Sequence, residues 1–218
     1  MKTIPCLFSL MLLLNYSIAQ KASFGITAGA TFASYKVSIE SVSMTSDMHV
    51  GFAAGVVASL PMGKQFSFRP QLNYVQKGGN TSDGGASDKL TLNYIELPLN
   101  FVYNMPTSSG MFYFGAGPSL STGVSGKDKW DDGYESGKDD IKFGGSVDDD
   151  LKSFEAAINI LAGYQFSGGF FVSANYNAGL TNLAQDDEFD SKYHNRYFGV
   201  GLGYMFGSKP KPKPQSVQ

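Results

Sequence analysis

Hydrophobic and polar residues alternate along much of this chain with a period of two. Between residues 66 and 79 one alternating set is aromatic or aliphatic: Phe66, Phe68, Leu72 and Tyr74. The other set is polar and almost uncharged: Ser67, Arg69, Gln71 and Asn73. Successive side chains of a β-strand point to opposite faces, so the pattern predicts a strand with one apolar and one polar face.

Eight segments share this alternation. They are residues 24–37, 50–60, 66–79, 90–103, 111–124, 151–166, 170–183 and 196–206. Their polar faces consist mainly of Gly, Asn, Ser and Thr, which is too poor in charge for a surface in water. We therefore expect the polar faces to line a crowded interior and the apolar faces to contact lipid. The pattern predicts an all-β fold, an eight-stranded antiparallel up-and-down transmembrane β-barrel.

The predicted connections alternate in length. Short turns fall at residues 61–63, 104–109 and 167–169, and longer polar loops at residues 38–49, 78–89, 125–150 and 184–195. Outer-membrane barrels have short periplasmic turns and longer external loops, so we expect an integral outer-membrane protein with both termini in the periplasm. The alternative is a soluble lipocalin-like barrel, whose apolar face would surround a ligand.

The two ends of the chain differ from the alternating segments. Lys2, the apolar run at residues 4–14 and the small residues before Gln20 are typical of a signal peptide. We expect a signal peptide at residues 1–19, an outer-membrane barrel at 20–207 and a Lys/Pro-rich periplasmic tail at 208–218. The only cysteine, Cys6, lies in the signal segment, so a thiolate site is not expected in the mature chain.

Two neighbouring segments carry a family resemblance. "PQLNYVQKG", residues 70–78, and "LNYIELPL", residues 92–99, resemble the PorT-like outer-membrane β-barrel family of Bacteroidota, in which a PELNY-x-QKG strand precedes an LNYLEIPL strand. "VGLGYMF", residues 200–206, resembles the C-terminal signal that barrel-assembly machinery recognises. The resemblance implies an eight-stranded barrel, with outer-membrane lipid and that machinery as partners. PorT itself belongs with protein secretion across the outer membrane, a role that transfers here only by analogy.

The polar faces contain few charges. If Lys77 pairs with Asp88 across the second long loop, antiparallel counting brings Arg69 opposite Glu96. Both would face the lumen, so we expect a structural ion pair between them. These side chains, with Tyr94, favour a filled interior over a wide pore.

Candidate chemistry is sparse. Two histidines, His49 and His194, lie near the predicted external rim with Asp47 and Asp190. A hydrolase site there would require a defined arrangement of these side chains, which the sequence alone does not provide. We predict no catalytic, cofactor-binding or metal-binding residues and no enzyme. A net charge of −2 provides no basic field for nucleic acid.

The longest predicted loop is the main candidate for recognition. Residues 127–150 contain nine acidic and four basic residues, which favours a solvated surface, although a divalent cation remains an alternative. Trp130, Tyr134 and Phe143 add aromatic groups, so we expect this loop to bind a protein partner. A non-enzymatic structural or interaction protein is the first hypothesis. The alternatives are a barrel enzyme acting on lipid or peptide, and a small passive pore.

Overall fold

The computed structural model describes residues 22–40, 42–146, 148–185 and 191–207. Within these residues no helix has the length and apolar character needed to span a bilayer. The strands are β1 (Ser23–Ile39), β2 (Val42–Thr45), β3 (His49–Pro61), β4 (Phe66–Asp83), β5 (Ala86–Pro106), β6 (Gly110–Asp131), β7 (Ser136–Ile141), β8 (Phe143–Gly144), β9 (Leu151–Lys152), β10 (Phe154–Phe166), β11 (Phe170–Gly179) and β12 (Lys192–Phe206). The predicted signal peptide and tail lie outside the described residues.

Eight strands form a closed antiparallel ring. Its order is β1, β3, β4, β5, β6, β10, β11 and β12, and β12 pairs back with β1 from Phe24 opposite Phe206 to Ser38 opposite Lys192. Because a closed ring has no free edge, its backbone polar groups are satisfied internally, as hydrocarbon surroundings require. The predicted eight-stranded up-and-down barrel is confirmed.

The two ends of the barrel have different connections. At one end, which we call the turn end, residues 62–65, 107–109 and 167–169 join neighbouring strands. Both ends of the described chain also lie there, since Ser23 pairs with Ser59 near the end of β3. At the other end, the loop end, β2 pairs with β1, β7 pairs with β6, and β8 and β9 form a short parallel pair. The connections therefore alternate between turns and longer segments, apart from the β4–β5 hairpin.

The outer wall is apolar. Large exposed side chains cover it on every strand of the ring, among them Phe24, Phe52, Leu72, Leu97, Phe114, Ile160, Val172 and Leu202. At the turn end a belt of aromatic rings joins neighbouring strands through Phe66–Tyr103, Tyr103–Phe114, Phe112–Tyr164 and Phe166–Phe170 contacts. Such a belt is typical of a membrane interface. The apolar residues face outward, opposite to their direction in a lipocalin-like barrel.

The hairpin of β4 and β5 continues through the predicted second loop. Asp83 pairs with Ala86, which leaves only Gly84 and Gly85 in the turn, with φ angles of 57° and 101°. Two consecutive positive φ angles are characteristic of the type I′ turn, which glycine adopts without strain. The prediction of a loop at residues 78–89 was therefore wrong. Lys77 pairs with Leu92 instead of Asp88, a shift of four residues.

Gly85 should be the more demanding of the two turn positions, because its φ of 101° lies beyond the left-handed region that asparagine tolerates. We expect Gly85→Val to lower the free energy of unfolding by about 1–3 kcal/mol. The matched variant Gly84→Asn should have little effect, since φ of 57° suits asparagine. Equilibrium urea unfolding in lipid bicelles measures both, and equal losses would contradict the I′ turn.

Candidate functional site

The turn end of the interior is packed with apolar side chains around one arginine. Buried Val57, Phe171 and Met205 form one cluster, and buried Val102, Tyr113 and Leu161 form another. The Arg69 guanidinium carbon lies 4.2 Å from the centre of the Tyr113 ring and 4.9 Å from that of Phe171. These cation–π contacts hold the buried charge between two rings.

The predicted ion pair of Arg69 with Glu96 was wrong. Both side chains are buried in the lumen as expected. However, Arg69 pairs across the ladder with Asn100, and Glu96 with Asn73, because the Gly84–Gly85 turn sets a different register. Among the described residues no carboxylate forms an ion pair with Arg69.

The middle of the lumen is a layer of amides beside a small cavity. Asn159 Nδ2 donates to Asn100 Oδ1 at 2.9 Å, and Asn175 Nδ2 donates to Asn159 Oδ1 at 3.1 Å. A cavity of about 60 Å³ lies beside this chain, and its lining mixes polar residues such as Thr27 and Gln71 with small and apolar ones such as Leu161. Its volume and the polar groups in its lining suit a few water molecules rather than a substrate.

Toward the loop end the lumen contains a buried charge cluster. Lys77 Nζ donates to Glu155 Oε2 at 2.7 Å and lies 3.0 Å from Glu96 Oε2, an ion pair without an aligned hydrogen bond. Ser121 Oγ donates to Glu155 Oε2 at 3.1 Å, and Tyr197 OH donates to Glu96 Oε1 at 2.6 Å. One ammonium thus serves two carboxylates, and side chains of five barrel strands meet at this point.

Side chains of a β-strand alternate between inward and outward, and this alternation directs the members of the cluster into the lumen. Lys77, Glu96 and Glu155 occupy inward positions on β4, β5 and β10, and their side chains are at most 1% exposed. Lys77 Nζ also lies 4.7 Å from the centre of the Tyr94 ring. Burying three charges is tolerated because each finds a partner of opposite sign. Sequence reasoning placed Glu96 inward but missed Lys77 and Glu155 as members of the same cluster.

Loop segments close the lumen above the charge cluster. Leu92, Tyr94, Leu151, Leu183 and Tyr193 form a buried cluster, with Ile141 and Phe143 packed against it. The ring centres of Phe143 and Tyr94 are 5.5 Å apart. Phe143 therefore belongs to an apolar plug, and its predicted place on an outward binding surface was wrong.

The predicted third loop is largely an extended β-sheet. β6 continues to Asp131, and β7 pairs back along it from Asp131 opposite Ser136 to Gly126 opposite Ile141. We call β7 and the parts of β5 and β6 paired beside it the hairpin sheet. Tyr134, at its tip, is 98% exposed, whereas Trp130 is 37% exposed and donates its indole N–H to Asp139 at 2.9 Å. Of the three aromatic candidates, Tyr134 alone stands free in solvent.

Acidic side chains gather on the inner face of the hairpin sheet. Asp128 lies opposite Asp139 on β7 and opposite Leu90 on β5, next to Asp88. Burial, a hydrogen bond with Asp88, and repulsion from Asp88 and Asp139 raise the pKa of Asp128 to about 7. In the part of the chain that the structure describes, no three His, Cys, Asp or Glu residues converge as a metal site.

The two histidines are not brought together. His49, the first residue of β3, is buried and faces inward. His194 lies outward on β12, opposite Lys36 of β1. Asp190 falls outside the described residues. Among the described residues of the rim, His49, His194 and Asp47 do not form a hydrolase site.

Comparison with known proteins identifies a domain type. The family model described as "Outer membrane protein beta-barrel domain" matches residues 18–185. Ail, the attachment invasion locus protein of Yersinia pestis, is 14% identical, with 86% of this chain and 100% of that chain covered and a TM-score of 0.42. The neisserial surface protein NspA is 17% identical, with coverages of 85% and 99% and a TM-score of 0.45. OprG from Pseudomonas aeruginosa is 10% identical, with coverages of 86% and 97% and a TM-score of 0.47. No curated protein sequence matches significantly.

Loss of the shared ammonium should destabilise the barrel. Lys77→Met leaves Glu96 and Glu155 buried without their cation, so we expect the free energy of unfolding to fall by about 3–5 kcal/mol. Adding Glu155→Gln to that variant should recover part of the loss. A double-mutant cycle by urea unfolding should give strong coupling for Lys77 with Glu155, and little for Arg69 with Glu96. A loss below about 1 kcal/mol for Lys77→Met would contradict a buried pair.

The pKa of Asp128 gives the hairpin sheet a pH dependence. The folded pKa of about 7 exceeds the ordinary value of 3.8, so the folded sheet binds a proton that the unfolded chain releases. Its stability should therefore be highest at acidic pH and should fall as pH rises through about 7. Amide hydrogen exchange of residues 136–141, corrected for intrinsic rates, should show this change. Asp128→Asn should remove it, and the control Asp140→Asn on the outer face should keep it.

Proposed function

Because this chain belongs to the outer membrane protein β-barrel domain family, we propose that it is a closed, non-enzymatic barrel that presents its hairpin sheet to a protein partner. The matched residues include most of the ring. Its location is the outer membrane. In this proposal the turn end and both termini face the periplasm, and the loop end faces outward.

The observation that carries the proposal is the filled interior. Apolar clusters lie at both ends of the lumen, and between them are the amide layer and the buried ion pairs. With eight strands there is just room for such side chains. An interior closed in this way supports a role outside the lumen rather than conduction or catalysis within it.

The hairpin sheet is the best candidate for that role. β7 is the last strand of the sheet, and within the described residues no strand pairs with its second edge. Free edges can accept an extended segment of another protein by strand addition. Tyr134 at the tip provides an exposed aromatic contact. The PorT-like resemblance suggests a secretion or envelope assembly as the source of this partner.

A photo-crosslinking amino acid in place of Tyr134 tests the proposal in cells. We expect one discrete adduct at this position, because its side chain projects fully into solvent. The same amino acid in place of Phe143 should give no adduct with another protein, because that ring packs in the plug. An edge variant, Asp140→Pro, should weaken the Tyr134 adduct, because the N–H of Asp140 points away from β6, toward the edge that a partner strand needs.

Conductance and activity distinguish the alternatives. The intact protein in planar bilayers should show no steady ion conductance above that of bilayers without protein, because the lumen is filled. Stable open-channel currents would favour the passive pore. Hydrolysis of a lipid or peptide by the purified barrel would favour the enzyme. Absence of any Tyr134 adduct would contradict the proposal that the hairpin sheet binds a protein partner.

A further inference from the structure

The outer face of the hairpin sheet carries lysines directly opposite one another. Lys129 of β6 pairs with Lys89 of β5 on one side and with Lys138 of β7 on the other. All three are exposed, and Lys127 lies on the same face two residues away. Like charges directly across a β-ladder destabilise it. This lysine row is therefore an unfavourable arrangement for the sheet by itself.

The protein supplies little to neutralise the row. Among the described residues none of these four lysines forms an ion pair with a carboxylate. Asp131 and Asp140 share the outer face, where Asp140 lies directly opposite Lys127, but Lys89, Lys129 and Lys138 face one another; Asp88, Asp128 and Asp139 lie on the inner face. The neighbouring Lys127 and Lys129 lower the pKa of Lys138, and Asp140 offsets only part of that effect. An anion from outside would remove the repulsion.

The lysine row lies beyond the last apolar residues of the outer wall, toward the loop end. Outward positions on β5 run from Phe101 through Leu97 and Ile95 to Asn93, Thr91 and then Lys89. Lys89 is six residues beyond Ile95, roughly 20 Å along a strand and less along the tilted barrel axis. Lysine stems reach several ångströms back toward an interface. The row therefore lies just beyond the apolar band at the loop end, where lipid headgroups are expected.

A second group of cations occupies the corresponding boundary on another part of the wall. Arg196 is the next outward position after Phe198 on β12, and its Nε donates to Ser34 Oγ at 3.0 Å. Lys36 of β1 lies opposite His194 of β12. At the turn end, by contrast, Lys64 is the only charged residue of the described turns 62–65, 107–109 and 167–169. Cations thus accumulate at one membrane boundary.

We propose that the lysine row binds phosphate groups of lipid headgroups in the leaflet at the loop end. Phosphate supplies the negative charge that the row lacks, and several lysines provide compact charges for it. A lipid source fits better than an acidic protein because the row continues the lipid-facing wall instead of the exposed tip. This interaction would fix the depth of the barrel and the direction of the hairpin sheet. It does not depend on the protein partner proposed above.

Lysine acetylation in nanodiscs tests the site on the intact mature barrel. Reaction rates of individual lysines are measured by mass spectrometry in discs of phosphatidylcholine alone and in discs that also contain phosphatidic acid. We expect Lys89, Lys129 and Lys138 to react about fivefold more slowly with phosphatidic acid present, the effect of about one anionic contact per lysine. Lys142, which follows β7 outside the row, should be unchanged. Equal rates in the two discs for the row would overturn the proposal.

Matched variants test whether the row itself binds the lipid. In native mass spectrometry, K129Q/K138Q should retain phosphatidic acid with an affinity about 25-fold weaker than the parent, and K64Q/K142Q, with the same change in charge, should retain it normally. Heat-modifiable migration confirms that both variants fold. Equal retention by the two variants would overturn the site.

Soluble probes distinguish the source of the phosphate. Inorganic phosphate in neutral discs should not protect the row, because the lipid proposal requires headgroups held at the membrane surface. Full protection by inorganic phosphate would replace the lipid with a free anion. Protection by an acidic peptide but not by phosphatidic acid would assign the row to a protein partner, and would likewise contradict the proposal.

Discussion

The ammonium of Lys77, shared by Glu96 and Glu155, is the constraint on which the interior depends. Taking these charges out of water costs several kcal/mol for each ion, and mutual attraction offsets that cost only in a good geometry. The three side chains start from β4, β5 and β10, so the ion pairs join distant parts of the ring across the lumen. Tyr94 lies above this cluster, and the asparagine layer with its small cavity lies below it.

Because the lumen is filled, the structure favours functions at the outer surfaces of the barrel. The wall offers lipid an apolar band with an aromatic belt at the turn end, and the loop end adds a polar hairpin sheet. The four lysines of that sheet lie on its outer face together with Asp131 and Asp140, whereas Asp88, Asp128 and Asp139 lie on its inner face. We propose that its edge and tip bind a protein and that its outer face binds phosphate. The two proposed sites lie on different parts of the hairpin sheet, so both could be occupied at once.

The sequence predicts the features that depend on the local alternation of polar and apolar residues, and not those that depend on strand register. The period-two alternation fixes which residues face inward, so eight strands and the burial of Arg69 and Glu96 followed from it. The register did not, because the two-residue turn at Gly84 and Gly85 lies within a polar segment whose composition predicts a long loop. The sequence also did not predict which residues meet across the lumen, because these residues are far apart in the chain. Glu155 is 78 positions from Lys77. The inward parity of both residues was the available signal.

The most direct test of this account is hydrogen exchange of the Lys77 ammonium, observed by NMR in ¹⁵N-lysine-labelled barrel in bicelles. A buried ammonium held by two carboxylates should give one resolved signal that exchanges slowly with water at neutral pH, while exposed lysine signals are lost to exchange. Glu155→Gln should speed its exchange. Rapid exchange of every lysine ammonium in the unaltered protein would show that water reaches Lys77, and would contradict the closed interior.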